Sequence, residues 1–164
     1  ADLGLPVTLW YASFYWENFI YLGMGPKQNP DGTIALTLPL GNKKMTGIAA
    51  EDIGKCAYGV FKKSSEWIGK SVGLAGDALT GQQMASAMGK ALHKTVSYNS
   101  ISPETYRGFG FPGADDLGNM FQFYADFEPI LLQSRDVALS RSLDPELQSF
   151  DMWLTQNANK IPIG

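Results

Sequence analysis

A chain of 164 residues with 13 Lys and Arg against 16 Asp and Glu, a formal net charge of −3, has room for one core of ordinary size and excludes a two-domain enzyme. It also lacks the clustered basic excess that a nucleic-acid backbone demands, so direct nucleic-acid binding is not expected. With 45% hydrophobic, 12% aromatic and only 18% charged residues, the chain is too apolar to be disordered.

In chain order, Val7 to Tyr11 is β-branched and aromatic and reads as a buried strand. Glu17 to Leu22 is a short helical segment ending in Gly23-Met24-Gly25-Pro26, and the turn residues from Pro26 to Gly32 predict a loop. Thr33 to Leu38 is a strand that stops at Pro39. Gly41-Asn42 then turns the chain into Lys44 to Ile48, which reads as a hairpin-like connection. From Ala50 the period changes, and Ile53, Ala57, Val60 and Phe61 fall on one helical stripe. Glu51 and Asp52 stand in the first turn and Lys62-Lys63 in the last, a charge order that suits the helix dipole.

Ser71 to Ala75 is a short strand, and Thr80 with Gln83 three residues on spells a capping box for a helix to about Leu92, with Met84, Ala87, Met88 and Ala91 inward. Thr95 to Ser100 is a strand, and Ser102-Pro103-Glu104 starts a helix with Pro at its first position. Leu117, Met120, Phe121 and Tyr124 make Ala114 to Tyr124 an amphipathic helix. Gln133 to Leu147 reads as loop and helix fragments, and Phe150, Trp153 and Leu154 as a final short helix. This alternation defines a mixed α/β class with no internal repeat or domain boundary.

Two strings imitate catalytic motifs. Gly108-Phe109-Gly110-Phe111-Pro112-Gly113 fits G-x-G-x-x-G, but a helical segment precedes it, Pro112 lacks an N–H and Asp115-Asp116 would repel a diphosphate, so a structural turn is expected. Tyr58 and Lys62 fit the Y-x-x-x-K pair of short-chain dehydrogenases, yet they fall on the helix after the second strand pair, and chance is the better account. His93, the only histidine, reads as a surface or capping residue. Cys56 reads as a packed thiol; as the single cysteine it excludes an internal disulfide and any multi-thiolate metal site, which fits a reducing compartment. Asp115, Asp116, Asp126 and Glu128 are expected to be surface groups. Ala1 to Pro6 has neither a basic region nor a long apolar run, so no leader or membrane span is expected there, and the expected location is the cytoplasm with the nucleus as a second compartment. Ala1 is not an initiator methionine, as in a processed chain or a piece of a longer one.

Past the first strand the chain runs Ser13-Phe14-Tyr15-Trp16-Glu17-Asn18-Phe19, an aromatic pair followed by Glu-Asn where a strand passes into a helix. This resembles the NmrA-like family, atypical relatives of short-chain dehydrogenases, in which such a segment follows the sixth strand of a Rossmann domain. Asp2 to Thr8, Gly47-Ile48 with Asp52-Ile53-Gly54, Gly69 to Leu74, Asp151 with Trp153-Leu154, and above all Gly110 to Phe121 with Phe123-Tyr124 agree in order and spacing. The resemblance spans essentially all of residues 1–164 and is greatest to the animal NmrA-like domain-containing proteins. It reaches only their C-terminal half: it implies the substrate lobe of an NAD(P)-binding Rossmann-type protein with the last strands of its sheet, the glycine-rich cofactor half being absent from this chain.

For the whole protein the resemblance implies NADP(H) binding, weak or no dehydrogenase activity for want of the Tyr/Lys pair, and redox-responsive regulation through protein partners. By motif, Tyr15, Trp16, Glu17 and Asn18 are the implied nicotinamide-side contacts, while the chain alone is expected to bind NADPH negligibly. Ser13 departs from the family, where Pro is frequent, and leaves the local backbone less fixed. Aromatic rings at a strand end suit a flat nicotinamide, and Asn18 can offer donor and acceptor to an amide. The alternative is that these rings pack the junction between lobes. Two other functions stay open: an NAD(P)H-dependent reductase of a quinone or other carbonyl, shaped by Phe14, Trp16 and Phe121, and a stand-alone protein-interaction module.

Overall fold

The structure, a computed structural model, describes residues 3–164; Ala1 and Asp2, and with them the first position of the Asp2 to Thr8 motif, lie outside the described residues. The first half carries β1 (Leu9–Tyr11), β2 (Phe14–Tyr15), α1 (Asn18–Tyr21), β3 (Lys27–Gln28), β4 (Ile34–Leu38), β5 (Lys44–Ile48), α2 (Ala50–Lys62), α3 (Ser64–Trp67), β6 (Ser71–Gly73) and β7 (Asp77–Thr80). The second half is mostly helical: α4 (Gly81–Leu92), β8 (Val96–Ser100), α5 (Pro103–Arg107), α6 (Ala114–Asp126), α7 (Glu128–Ser134), α8 (Val137–Leu143) and α9 (Phe150–Asn157), closed by a 3₁₀ turn at Ala158–Lys160.

Three small sheets organise these strands. β1 lies parallel to β6, with Trp10 opposite Val72. β5 is the centre of the second sheet, parallel to β2 on one side and antiparallel to β7 on the other. β4 is the centre of the third, between antiparallel β3 and parallel β8. The expected hairpin from β4 to β5 is therefore wrong. The turn at Gly41-Asn42 does reverse the chain, but each strand finds its partners in a different sheet. β3 also lies inside the segment expected to be loop, and β7 was not anticipated, because its Asp77-Ala78-Leu79-Thr80 is half-buried throughout rather than alternating.

The central strand β4 is buried at four of its five positions, as a strand covered on both faces must be. α4 starts where the capping box predicts: the Thr80 hydroxyl accepts from the Gln83 N–H at 3.2 Å, and the Gln83 side chain accepts from the Thr80 N–H at 2.9 Å. It ends at His93, exposed and in the left-handed region at φ 53°, the capping role expected of it. On α2 the expected stripe is rotated. Asp52, Cys56, Gly59 and Val60 face inward while Phe61 is 77% exposed, because Asp52 has a buried partner that makes its burial tolerable, and Gly59 lets the helix approach the backbone of Leu143.

Two cores result. The larger joins β2, α1, α6 and α9 through Phe14, Trp16, Phe19, Phe121, Phe150 and Trp153, and takes in β4 through Leu36 and Leu38 and α4 through Met84 and Met88. The smaller lies between α2, β6 and α8 and consists of Ile48, Cys56, Val60, Val72, Leu74, Leu143 and Leu147.

Candidate functional site

The segment Phe14 to Asn18 sits where β2 ends and α1 begins. Phe14 is paired with Gly47 and Tyr15 with Ile48, and the Trp16 N–H donates to the Ile48 carbonyl at 3.1 Å. β2 and β5 run parallel, so this is the carboxyl edge of a parallel pair, the side on which open α/β sheets take ligands.

Its four singled-out residues divide into two pairs. Trp16 is 2% exposed, with its ring centroid 5.3 Å from that of Phe150 and 6.0 Å from that of Trp153. Its indole lies against Gly47 so closely that a Cβ there would collide with Nε1, and a Cβ on Gly76 would stand 2.9 Å from its Cη2. Glu17 accepts hydrogen bonds from the Ala50 N–H and from Trp153 Nε1, both at 3.0 Å. Ala49, the N-cap of α2, has no side chain to satisfy the helix start; the Glu17 carboxylate supplies that acceptor and a favourable charge from 33 residues away. Tyr15, by contrast, is 43% exposed. Asn18 uses its carbonyl to receive the Leu22 and Met24 N–H groups, while its side-chain amide makes no hydrogen bond among the described residues.

Two residues near this edge were missed from the sequence. The Arg135 Nε donates to the Ala12 carbonyl at 3.3 Å, and its side chain passes over Gly73 at the end of β6. Tyr124, on α6, lies within electrostatic reach of Arg135 and Tyr15; burial pushes its phenol above the ordinary value, with Arg135 opposing. No local signal marks Arg135, which falls in a stretch read only as polar fragments.

The glycine-rich look-alike is the structural turn expected of it. Gly108 to Gly113 connects α5 to α6, and Gly113 takes a left-handed φ of 87° in front of Asp115 and Asp116. Tyr58 is exposed on α2, with the Lys62 ammonium 5.2 Å from its ring centroid. Cys56 is fully buried and its Sγ donates to the Ser140 carbonyl at 3.7 Å; burial first, then the Asp144 and Asp52 carboxylates, push the thiol up to about 12. Asp115, Asp116 and Asp126 are exposed, whereas Glu128 is more than a surface group: it accepts from the Lys44 N–H at 2.6 Å and the Lys43 ammonium at 3.1 Å, which hold its carboxyl below the usual carboxylate range. Among the described residues no three His, Cys, Asp or Glu side chains gather as a metal site, and no helix is long and apolar enough to cross a membrane.

Parallel strand pairs with crossover helices define part of a Rossmann-type α/β protein. The same fold occurs in NmrA, a negative transcriptional regulator solved in complex with NADP: TM-score 0.73 at 22% identity, covering 94% of this chain and 53% of that one. The chain belongs to the NmrA-like family, whose family model matches residues 1–154. Among individual relatives, NmrA-like family domain-containing protein 1 of Rattus norvegicus is 33% identical over 97 residues, covering 59% of this chain and 44% of the relative. The NmrA-like family domain-containing oxidoreductase lnbB of Aspergillus flavus is 27% identical over 123 residues, covering 69% of this chain and 37% of the relative. The chain thus spans about half or less of the length of the proteins it matches.

Proposed function

We propose that this chain is the C-terminal part of a longer NmrA-like domain that binds NADP(H), and that the whole protein is a redox-responsive regulator acting through protein partners rather than an efficient dehydrogenase. Tyr15, Trp16, Glu17 and Asn18 form the nicotinamide side of that site. The observation carrying the reading is the division of labour at the carboxyl edge of β2 and β5. Tyr15 offers an accessible ring and Asn18 an unengaged amide, a fit to a flat carboxamide-bearing ring. Trp16 and Glu17 position them, the first by packing and the second by its bonds to Ala50 and Trp153. A bound nicotinamide supplies a transferable hydride. A shift of Tyr15 or Asn18 passes through Glu17 to the start of α2 and to α9, and a partner that binds differently to the two states reads it.

The family membership and the NADP complex of NmrA support this reading. A second reading, an NAD(P)H-dependent reductase of a quinone or other carbonyl, is favoured by the Aspergillus flavus relative described as an oxidoreductase. Calorimetric titration of the full-length protein with NADPH, followed by an oxidation assay over a quinone panel, separates the two. The regulator reading expects binding without robust turnover, and robust turnover overturns it. Asn18→Ala and Tyr15→Ala are expected to weaken NADPH binding by about five- to tenfold, on the scale of one lost hydrogen bond or ring contact; unchanged affinity in both removes these residues from the site.

A further inference from the structure

A cavity lies beyond α1, between the loop from Leu22 to Gly25, the β3–β4 edge and the loop that follows α5. Its volume is about 400 Å³, and its lining includes Met24, Lys27, Thr37, Tyr106, Phe109 and Phe111. That is within the range of small-molecule sites, roughly 300 to 1,000 Å³.

Its walls are aromatic and organised. The Tyr106 ring centroid is 5.5 Å from that of Phe109, tilted, and 5.8 Å from that of Phe111, edge-on at 87°. Tyr106 is held from behind by Phe121, 5.3 Å away. Phe109 and Phe111 nonetheless remain 53% and 38% exposed, although two phenyl rings on a loop could have closed over Tyr106. Tyr106 itself is 5% exposed, yet its hydroxyl makes no hydrogen bond among the described residues. That oxygen is not one of the buried polar atoms left unpaired among the described residues, so it keeps access to solvent and is free to meet a ligand. Burial also pushes this phenol above its ordinary value, so it is a donor at neutral pH.

Lys27 supplies the charge. β3 puts it opposite Ala35, and its ammonium lies over Gly23, where a Cβ would stand 3.8 Å from Nζ. None of the ion pairs among the described residues includes it. A single ammonium beside an aromatic pocket matches a monoanion on a flat apolar body. A phosphate dianion would call for further charge of the kind a guanidinium fork gives, and the lining holds no arginine and no second lysine.

We propose that this cavity binds a small aromatic carboxylic acid: the ring packs against Phe109 and Phe111, the carboxylate pairs with Lys27, and the Tyr106 hydroxyl donates the remaining hydrogen bond. The cavity is tied to the nicotinamide-side segment through Asn18, whose carbonyl receives the N–H groups of Leu22 and Met24 in the cavity wall at 3.2 and 3.3 Å. Binding here does not depend on the NADP(H) reading, because none of the three contacts involves Tyr15 to Asn18.

The test is a titration of the full chain with 2-naphthoate in the absence of nucleotide, read by ligand fluorescence and by amide chemical shifts at Met24, Gly25 and Tyr106. Saturable binding with shifts at these residues is expected. Lys27→Gln, an exposed position that does not threaten folding, should weaken it about fivefold, and Tyr106→Phe by a similar factor. 2-Naphthalenemethanol, which keeps the ring and loses the charge, should bind less tightly than 2-naphthoate and with an affinity that Lys27→Gln leaves alone. No saturable binding, shifts confined to other regions, or equal binding of acid and alcohol overturns the proposal.

Discussion

The two cores solve the same problem by different means. The larger is held by rings: Trp16, Phe19, Phe150 and Trp153 lie within 6.0 Å of one another in successive centroid contacts, and Phe14 links Phe19 to Phe121. The smaller has no aromatic side chain among its fully buried members and is pinned by polar groups. Asp52, 0% exposed, accepts from the Gln148 N–H at 2.8 Å and from its side-chain amide at 3.2 Å, and the Ser140 hydroxyl accepts from the Ala75 N–H at 3.0 Å. In the first, stability comes from area and shape, which are non-directional. In the second, fewer apolar atoms are available and buried hydrogen bonds fix how α2 and α8 meet β6, at the risk that any one left unpaired is costly.

This contrast can be broken by substitution. Trp16→Ala should cost about 3–5 kcal/mol, the range for deleting a buried aromatic ring, and Val60→Ala about 2 kcal/mol; equal losses in urea unfolding would erase the distinction. Asp52→Ala should cost about 2–3 kcal/mol, because it orphans two buried donors of Gln148, and Asp52→Asn should recover part of it; a loss below that of Val60→Ala would mean the polar pins hold nothing. Cys56 sharpens the comparison by pH. An exposed thiol ionises near 9.0 and the buried one near 12, so its contribution is intact below pH 9 and is lost as the pH rises towards 12, at up to about 1.4 kcal/mol per pH unit. Stability measured against pH should fall less steeply in Cys56→Ala over that window. The smallest effect is expected from Thr80→Ala, about 1 kcal/mol for the lost cap of α4, read as a lower melting temperature with the Met84 and Met88 packing retained.

What was legible in the sequence was what is local. The capping box at Thr80 and Gln83, the Pro103 helix start and the period of α6 each depend on residues within a few positions, and all three elements appear where the spacing places them. The partners of β4 and β5 were not legible, since Val96–Ser100 and Asp77–Thr80 are chosen by packing across the molecule and the Gly41-Asn42 turn carries no information about them. The stripe on α2 failed for a related reason: Phe61 has the hydrophobicity of a core residue, and the distant Gln148, together with Lys55 one turn along the helix, makes Asp52 the better one to bury. At the candidate site the motif drew attention to Tyr15 through Asn18, but the bonds from Glu17 to Ala50 and Trp153 span 33 and 136 positions; Arg135 reaches the same edge from a segment with no distinguishing pattern, and the period of α6 marks Tyr124 as inward-facing without saying that it lies beside Tyr15.

The short strand β1 has one more consequence. In its parallel ladder Leu9 donates to Lys70 and Tyr11 accepts from Leu74, and the alternation of such a ladder turns the N–H and carbonyl of Trp10, between them, to the opposite side. Among the described residues no strand lies there. The Trp10 amide is therefore a built-in reporter of its surroundings in a hydrogen–deuterium exchange experiment. It should exchange quickly in this chain by itself and slow by orders of magnitude once another strand is hydrogen-bonded along that edge, while its neighbours Leu9 and Tyr11 change far less.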